Sequence, residues 1–196
     1  MKQLAFLASN NGSGMRAVIA AIEAGDLDAR AVLVASNRKS APALEFARQH
    51  GVPTLVIPTL TDPTGADERL AEALNGAGAD LVILSGYLRK LGPLTLAAFE
   101  GRILNIHPAL LPRHGGAGMF GRRVHEAVIA AGDAMSGASV HLVDGEYDHG
   151  VVLARVEVPV LAGDTAQSLE ARVTAAEPAL LVETLKSMIE GRLSLP

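Results

Sequence analysis

The chain has 196 residues, with 17 lysines and arginines against 21 aspartates and glutamates, a formal charge of −4, and no cysteine. An apolar content of 49% excludes a disordered chain and allows one domain with a substantial core. The missing cysteines exclude disulfides, thiolate metal sites and a cysteine nucleophile, and the slight acidity is unfavourable to a nucleic-acid-binding surface.

The first half alternates apolar runs with helical segments. The apolar run 4–8 predicts a buried strand. Because Asn10 and Asn11 follow it, the run is too short for a signal peptide or a membrane span. Further strands are predicted over 31–35, 54–57, 81–84 and 103–106, and helices over 15–24, 42–49, 63–74 and 93–99. Ser40 is placed to cap the second helix, and Asp62 opens the third. Apolar strands separated by helices are typical of a parallel sheet covered on both faces.

The second half has a different pattern. A glycine-rich stretch over 113–121 precedes a predicted helix over 122–131, and two strands over 139–143 and 152–158 form a hairpin-like pair. Asp164 is placed to cap a long final helix. We therefore predict a single α/β domain over 1–196, Rossmann-like, with a mostly parallel central sheet, an antiparallel C-terminal strand pair and helices on both faces. We expect a soluble, cytoplasmic protein, either a monomer or a homodimer.

The first candidate site is the loop between the first strand and the first helix. Glycine and serine residues in such a turn direct backbone N–H groups and the positive end of a helix at one point, which suits a phosphate. Asn10 and Ser13 break the dinucleotide-binding glycine pattern, and the lysine of a P-loop is missing. An ordinary strand-to-helix turn is the alternative.

The second candidate site is the end of the strand that contains Asn105 and His107. These residues alternate with apolar ones and so share a face, at the sheet edge where open α/β proteins bind ligands. A carboxamide can donate to a developing oxyanion, and an imidazole can move a proton. A histidine bonded only to neighbouring backbone is the alternative.

The third candidate site is the acidic turn that contains Asp144, Glu146 and Asp148. A calcium loop of the EF-hand type is excluded because arginine stands where its twelfth-position glutamate is required. Three interpretations remain: a solvated loop, a metal site that includes His107 and His141, or a single acid that orients His107 and favours its charged form.

Several motifs together resemble the phosphoribosylglycinamide formyltransferases, folate-dependent enzymes of purine synthesis, over nearly the whole chain. The N-I-H-P-A-L-L-P string over 105–112, followed by S-V-H-L-V over 139–143 and Asp148-x-Gly150, is specific for formyltetrahydrofolate-using transferases and hydrolases. The segments 84–89 and 171–177 also match. The phosphate-type loop over 8–13 narrows the resemblance to the transferases that formylate glycinamide ribonucleotide (GAR).

The resemblance implies a formyltransferase fold and a set of site residues. The catalytic residues would be Asn105, His107 and Asp148. The substrate phosphate would be held by Asn11, Gly12 and Ser13, and the rest of GAR would be contacted by Pro108 and Glu177. The folate pocket would be formed, partly through main-chain groups, by Leu88, Arg89, Lys90, Leu91, Leu104 and Val143. The co-substrate would be 10-formyltetrahydrofolate, and no metal, nucleic acid or membrane would be needed.

Four departures from the family pattern are visible. Asn10 and Gly14 replace the usual glycine and asparagine of the phosphate loop, and Lys90 stands at a commonly apolar pocket position, so that we expect its side chain to face solvent. The segment 113–123 is unusually rich in glycine and is interpreted as a mobile substrate lid. Pro178 follows Glu177 and could re-aim its carboxylate.

Three alternative functions remain open. They are a formyltetrahydrofolate hydrolase, a sugar-nucleotide formyltransferase, and a non-catalytic module that binds folate or a phosphorylated metabolite. The hydrolases and the sugar-nucleotide formyltransferases normally have longer chains. The joint presence of Asn105, His107 and Asp148 is unfavourable to the third.

Overall fold

The structure is a computed structural model that describes residues 1–196. Its seven strands join one sheet in the order β3-β2-β1-β4-β5-β6-β7. The strands are β1 Lys2–Leu7, β2 Ala29–Ser36, β3 Thr54–Val56, β4 Leu81–Leu84, β5 Ile103–His107, β6 Met135–Leu142 and β7 Val152–Pro159. The helices are α1 Ser13–Glu23, α2 Pro42–Gln49, α3 Pro63–Gly76, α4 Pro93–Ala98, α5 Arg122–Ala130 and α6 Ala166–Ile189. None of these helices has both the length and the apolar character that a bilayer-spanning segment requires.

The sheet is parallel up to β5 and then reverses direction. Strands β3, β2, β1, β4 and β5 pair in parallel, whereas β5 with β6 and β6 with β7 are antiparallel. The prediction of a mostly parallel sheet with an antiparallel C-terminal pair is therefore confirmed. The reversal places β6 beside β5, with Asn105 opposite His141 and His107 opposite Ser139.

Helices cover both faces of the sheet, as predicted. One face packs the fully buried Met15 of α1, Leu44 of α2 and Leu181 of α6 against Leu4 and Phe6 of β1 and their neighbours. The opposite face packs α3 and the residues after α4, among them Leu74 and Phe99. Each fully buried side chain of this size contributes about 1.5–3 kcal/mol relative to exposure. The two cores explain why the parallel strands are apolar on both faces.

Two predicted helix caps are wrong by one residue each. Helix α2 begins after Ala41, which makes no side-chain cap, because Pro42 already supplies a first helical residue without an N–H to satisfy. Helix α6 is capped by Thr165, whose side chain accepts from the Ser168 backbone N–H, and not by Asp164. The Asp164 carboxylate instead forms an ion pair with Arg172 in the second turn of the helix.

Strand β6 also begins earlier than predicted, at Met135. Ser136 and Gly137 interrupt the apolar pattern there, so that the sequence alone shows only the second half of the strand. This first half is a strand because it pairs with β7, with Met135 opposite Pro159 and Gly137 opposite Glu157.

Candidate active site

The loops after neighbouring parallel strands meet at the carboxyl edge of the sheet. Ser9, which follows β1, joins three of them. Its backbone N–H donates to the Gly86 carbonyl (3.1 Å), its Oγ accepts from the Leu88 N–H (2.8 Å), and its hydroxyl donates to Asn37 Oδ1 (2.6 Å). This edge is therefore a fixed platform, in the position where open α/β sheets bind ligands.

His107 ends β5 at this edge, with a side chain that is only 4% exposed. Its Nε2 lies 2.8 Å from the carbonyl oxygen of His114, and its Nδ1 lies 3.3 Å from Oδ2 of Asp148. A carbonyl oxygen only accepts, and of the two contacts only the one at Nε2 has hydrogen-bond geometry, so Nε2 carries the proton of the neutral ring. Nδ1 is therefore the nitrogen that can gain or lose a proton next to the carboxylate.

Asp148 approaches this histidine from the loop between β6 and β7. It has a positive φ of 55° and a carboxylate that is 9% exposed, and its Oδ2 also accepts from the Gly116 N–H at 3.0 Å. Burial alone raises the pKa of the Asp148 carboxyl, but contacts with His141, His107 and the Gly116 N–H outweigh burial and lower it below its usual value. The carboxylate is thus ionised throughout the neutral range.

Asp148 favours the charged form of His107, as one interpretation of the acidic turn expects, but burial has the larger effect. Burial is the largest influence on His107 and lowers its pKa, although Asp148 and the hydrogen bond to the His114 carbonyl act in the opposite direction. Desolvation outweighs the attraction because the imidazole is almost fully removed from water. At neutral pH the ring is mainly neutral, with a free lone pair on Nδ1.

Asn105 lies two residues before His107 and contacts a residue that sequence reasoning missed. Its Nδ2 is 3.1 Å from Nε2 of His141, whose Nδ1 donates to the Leu142 carbonyl at 2.8 Å. His141 Nε2 is also 3.5 Å from Oδ1 of Asp148. The sequence suggests a structural hydrogen bond or a place in a metal site for His141, but no contact with Asn105. Its place opposite Asn105 in the antiparallel register instead brings it into the cluster.

The segment 113–123 contacts the cluster directly. Gly115 packs so closely that a Cβ there would lie 2.5 Å from Leu111 Cδ2 and 3.2 Å from Asp148 Cβ. The next residue, Gly116, supplies the N–H that Asp148 accepts. The first part of this glycine-rich segment is therefore needed for close approach to the acid, in addition to the mobility that the sequence suggests.

The phosphate-type loop leads into α1 as predicted. Gly12 is the N-cap in the left-handed conformation (φ 64°) and provides no side-chain cap. The N–H groups of Ser13 and Gly14 therefore stay open to a ligand, whereas that of Met15 donates to Ser85 Oγ. Arg16, which sequence reasoning missed, donates from Nε to the Asn11 carbonyl at 2.8 Å and lies over the Phe46 ring. Arg16 thereby adds a positive charge next to Asn11, Gly12 and Ser13.

The departure at Gly14 has a packing reason. A Cβ at this position would lie 2.8 Å from Leu181 Cδ2 on α6 and 3.3 Å from Ser85 Oγ. Ser85 Oγ also accepts from the Met15 N–H at 3.0 Å. Glycine at position 14 thus allows α1 to pack closely on α6 and on the end of β4.

Glu177 lies on α6 and makes no hydrogen bond or ion pair with another residue. It is half-buried, and burial raises the pKa of its carboxyl to about 7. Pro178 follows it inside a helix that continues to Ile189. Pro108, the other residue expected to contact GAR, directly follows His107 and is half-buried.

The residues expected in the folate pocket fall into two groups. Arg89, Lys90 and Leu91 line one cavity of about 170 Å³ together with Asp67 and other residues. Arg89 Nε and Thr59 Oγ1, on the same wall, are buried without hydrogen-bond partners. The second group lines no part of this cavity: Leu88 is exposed, Val143 half-buried, and Leu104 fully buried in the core.

Lys90 is exposed, as expected, but it is not free of contacts. Its Nζ lies 5.6 Å from the centre of the Tyr147 ring, on the loop that carries Asp148. The structure contains no group of three or more histidine, aspartate or glutamate side chains that could hold a metal ion.

Comparison with known proteins assigns the family. The sequence matches the formyl transferase family over residues 2–185, and the chain belongs to that family. Within it, the chain is 35% identical to the phosphoribosylglycinamide formyltransferase of Escherichia coli, over 96% of this chain and 88% of that protein. It is 40% identical to the chloroplastic phosphoribosylglycinamide formyltransferase of Vigna unguiculata, over 98% of this chain but only 62% of the longer plant protein.

A solved structure agrees with the sequence relatives. Glycinamide ribonucleotide transformylase 1 from Symbiobacterium toebii superposes with a TM-score of 0.91 at 34% identity, over 100% of this chain and 91% of that chain. The fold and the Rossmann-like architecture expected from the sequence are thus those of this family.

Proposed function

We propose that the protein transfers the formyl group of 10-formyltetrahydrofolate to the amino group of glycinamide ribonucleotide, giving formylglycinamide ribonucleotide and tetrahydrofolate. The relatives named above carry this activity in their names, over nearly the whole of this chain. The observation that carries the proposal is the convergence of Asn105, His107 and Asp148 at the carboxyl edge of the sheet.

Asn105, His107 and Asp148 fit the chemistry of formyl transfer. The GAR amine attacks the formyl carbon, a C–N bond forms, and the carbonyl oxygen becomes an oxyanion. The Asn105 amide donates to that oxygen, which is a contribution on the order of 2.7–4 kcal/mol to the barrier. The neutral His107 Nδ1 accepts the amine proton, and the resulting imidazolium is stabilised by Asp148. When the C–N10 bond breaks, this proton passes to N10 of the folate.

We assign GAR and the folate to separate sets of residues around Asn105, His107 and Asp148. The GAR phosphate binds the open N–H groups at Asn11, Gly12 and Ser13, with the positive end of α1 and Arg16 close by. Pro108 and Glu177 contact the glycinamide part. The folate pterin binds through Leu88 to Leu91, Leu104 and Val143. For the buried Leu104 we infer a contact through main-chain groups, because its side chain is enclosed in the core.

The chemistry in this proposal needs no resident cofactor, metal or nucleic acid. We infer that residues 1–196 form one domain, because all seven strands belong to one sheet. We also infer a cytoplasmic enzyme, acting as a monomer or a homodimer.

One assay tests the proposal against its competitors. The purified protein is offered 10-formyltetrahydrofolate together with GAR, with water alone, or with a sugar-nucleotide amine, and tetrahydrofolate release is followed. We expect release that depends on GAR and survives exhaustive chelation. Equal release with water alone would identify a hydrolase, and release only with the sugar nucleotide would identify the other transferase class.

A further inference from the structure

The carbonyl that receives the Nε2–H of His107 belongs to a residue in an uncommon conformation. His114 has a φ of 55°, which non-glycine residues rarely adopt. Its own Nε2 lies 2.7 Å from Oδ2 of Asp133, and the other oxygen of that carboxylate pairs with Arg113 at 2.5 Å. The side chains of His114 and Asp133 are only 15% and 13% exposed. A hydrogen bond between two such shielded side chains can hold the backbone of His114 in place.

We propose that His114 and Asp133 are positioning residues for the transfer reaction: the contact between their side chains holds the His114 carbonyl oxygen against Nε2 of His107. This hydrogen bond keeps the ring proton on Nε2 and leaves Nδ1 free to exchange a proton next to Asp148. The inference rests on the proposed function, because it assigns the orientation of the histidine that would move the amine proton.

The surroundings of the pair favour this role. Asp133 lies in the turn between α5 and β6, and its backbone N–H donates to the Val128 carbonyl at 3.3 Å. The pair lines a cavity of about 320 Å³, whose wall is half hydrophobic and includes Leu110 and Val128. A hydrogen bond beside apolar side chains is stronger than one in water. The pair is thus anchored to the scaffold, outside the cluster of Asn105, His107 and Asp148.

Other ionisable groups also act on His107, and they are distinct from the pair. Asp148 faces it from the loop after β6, His141 from β6 itself, and the buried His125 from α5. None of these three forms a hydrogen bond or ion pair with Asp133, whose partners are Arg113 and His114. A change at Asp133 therefore removes no hydrogen bond or ion pair of Asp148, His141 or His125.

The test measures the tautomer of His107 by NMR on protein labelled with ¹⁵N-histidine, with the signal assigned by its loss in His107→Gln. The test variants are Asp133→Asn, which keeps the shape of the side chain, and His114→Asn, because asparagine tolerates a positive φ. The matched control is Arg113→Gln, which removes the other partner of Asp133 but leaves the His114 contact.

In the wild type and in Arg113→Gln we expect a single tautomer with the proton on Nε2. In both test variants we expect a mixture of tautomers and a kcat lower by on the order of 10-fold, with both KM values within about twofold, as is typical when a supporting hydrogen bond is lost. A single Nε2–H tautomer together with wild-type kcat in both variants would overturn the inference. Absence of GAR formylation by the wild type would overturn the proposed function instead, while the NMR measurement, which needs no substrate, would still decide the role of the pair.

Discussion

Nδ2 of Asn105 lies 3.1 Å from Nε2 of His141, across the antiparallel pair β5–β6. His141 Nδ1 donates to the Leu142 carbonyl, and its Nε2 accepts from the Asn105 carboxamide. One amide hydrogen of Asn105 is thereby fixed, and the second is left for a ligand. The orientation of the proposed oxyanion donor thus depends on a histidine from the neighbouring strand.

Replacing His141 by Ala should therefore lower kcat more than it changes either KM. We expect a loss on the order of 10- to 100-fold, as for other residues that orient a reacting group. Steady-state kinetics with both substrates varied measure it. His149→Ala is the control, since this exposed histidine contacts only Asp144 on the same loop. Equal effects of the two substitutions would contradict the assigned role.

Removing the carboxylate of Asp148 should lower turnover while the fold survives. In Asp148→Asn the negative charge that stabilises an imidazolium at His107 is lost, so we expect kcat to fall by roughly 100-fold or more. Circular dichroism and thermal unfolding check the fold, and His107→Ala provides the comparison. That variant should abolish transfer yet leave folate affinity within roughly tenfold. Wild-type turnover in Asp148→Asn would remove the acid from the mechanism.

Asn105 and His107 could be predicted from the sequence because both lie on one face at the end of a strand, and strand periodicity is local. The contact with His141 could not, because it depends on which residue stands opposite Asn105 once β6 pairs with β5. The His114–Asp133 pair depends on a loop conformation with positive φ that no periodicity encodes. The lowered pKa of His107 could not be predicted for a related reason: burial is a property of the whole fold.

The contact of Arg16 with the Asn11 carbonyl predicts a specific effect on GAR. In Arg16→Gln the loop loses both a donor and a positive charge, so we expect the KM for GAR to rise by roughly 5- to 20-fold, as one charge-assisted hydrogen bond is lost. The KM for the folate should change by less than about twofold. Ser13→Ala should show the same selectivity. A parallel rise in both KM values would indicate general damage to the fold.

The close approach of Gly14 to Leu181 predicts a loss of stability. In Gly14→Ala the new Cβ would lie 2.8 Å from Leu181 Cδ2, so the fully buried Leu181 side chain must shift, at a cost of about 1–3 kcal/mol in the free energy of unfolding. Urea unfolding measures the change. Gly76→Ala is the matched control, because this glycine ends α3 with no atom within 4 Å of the new Cβ. There we expect a gain of about 0.4–1 kcal/mol.

The unpaired carboxyl of Glu177 predicts a pH-dependent stability. Burial raises its pKa to about 7, whereas the pKa of an exposed glutamate is about 4.3. Between these two pH values the folded protein keeps a proton that the unfolded chain has released. The free energy of unfolding therefore falls as the pH rises toward 7, and it stays lower above pH 7. Glu177→Gln removes the effect and should be more stable than the wild type at pH 8, by about 1–3 kcal/mol, but not at pH 4.

Urea unfolding of both proteins at the two pH values measures this difference, and Glu183→Gln, an exposed glutamate on the same helix, is the control. The added stability should be accompanied by a higher KM for GAR, because Glu177 is the acid assigned to the glycinamide part, and groups placed for function are often unfavourable for stability. If Glu177→Gln and Glu183→Gln responded to pH alike, burial of this carboxyl would not be the cause. If only the stability changed, the carboxyl would be buried as described but would not contact the substrate.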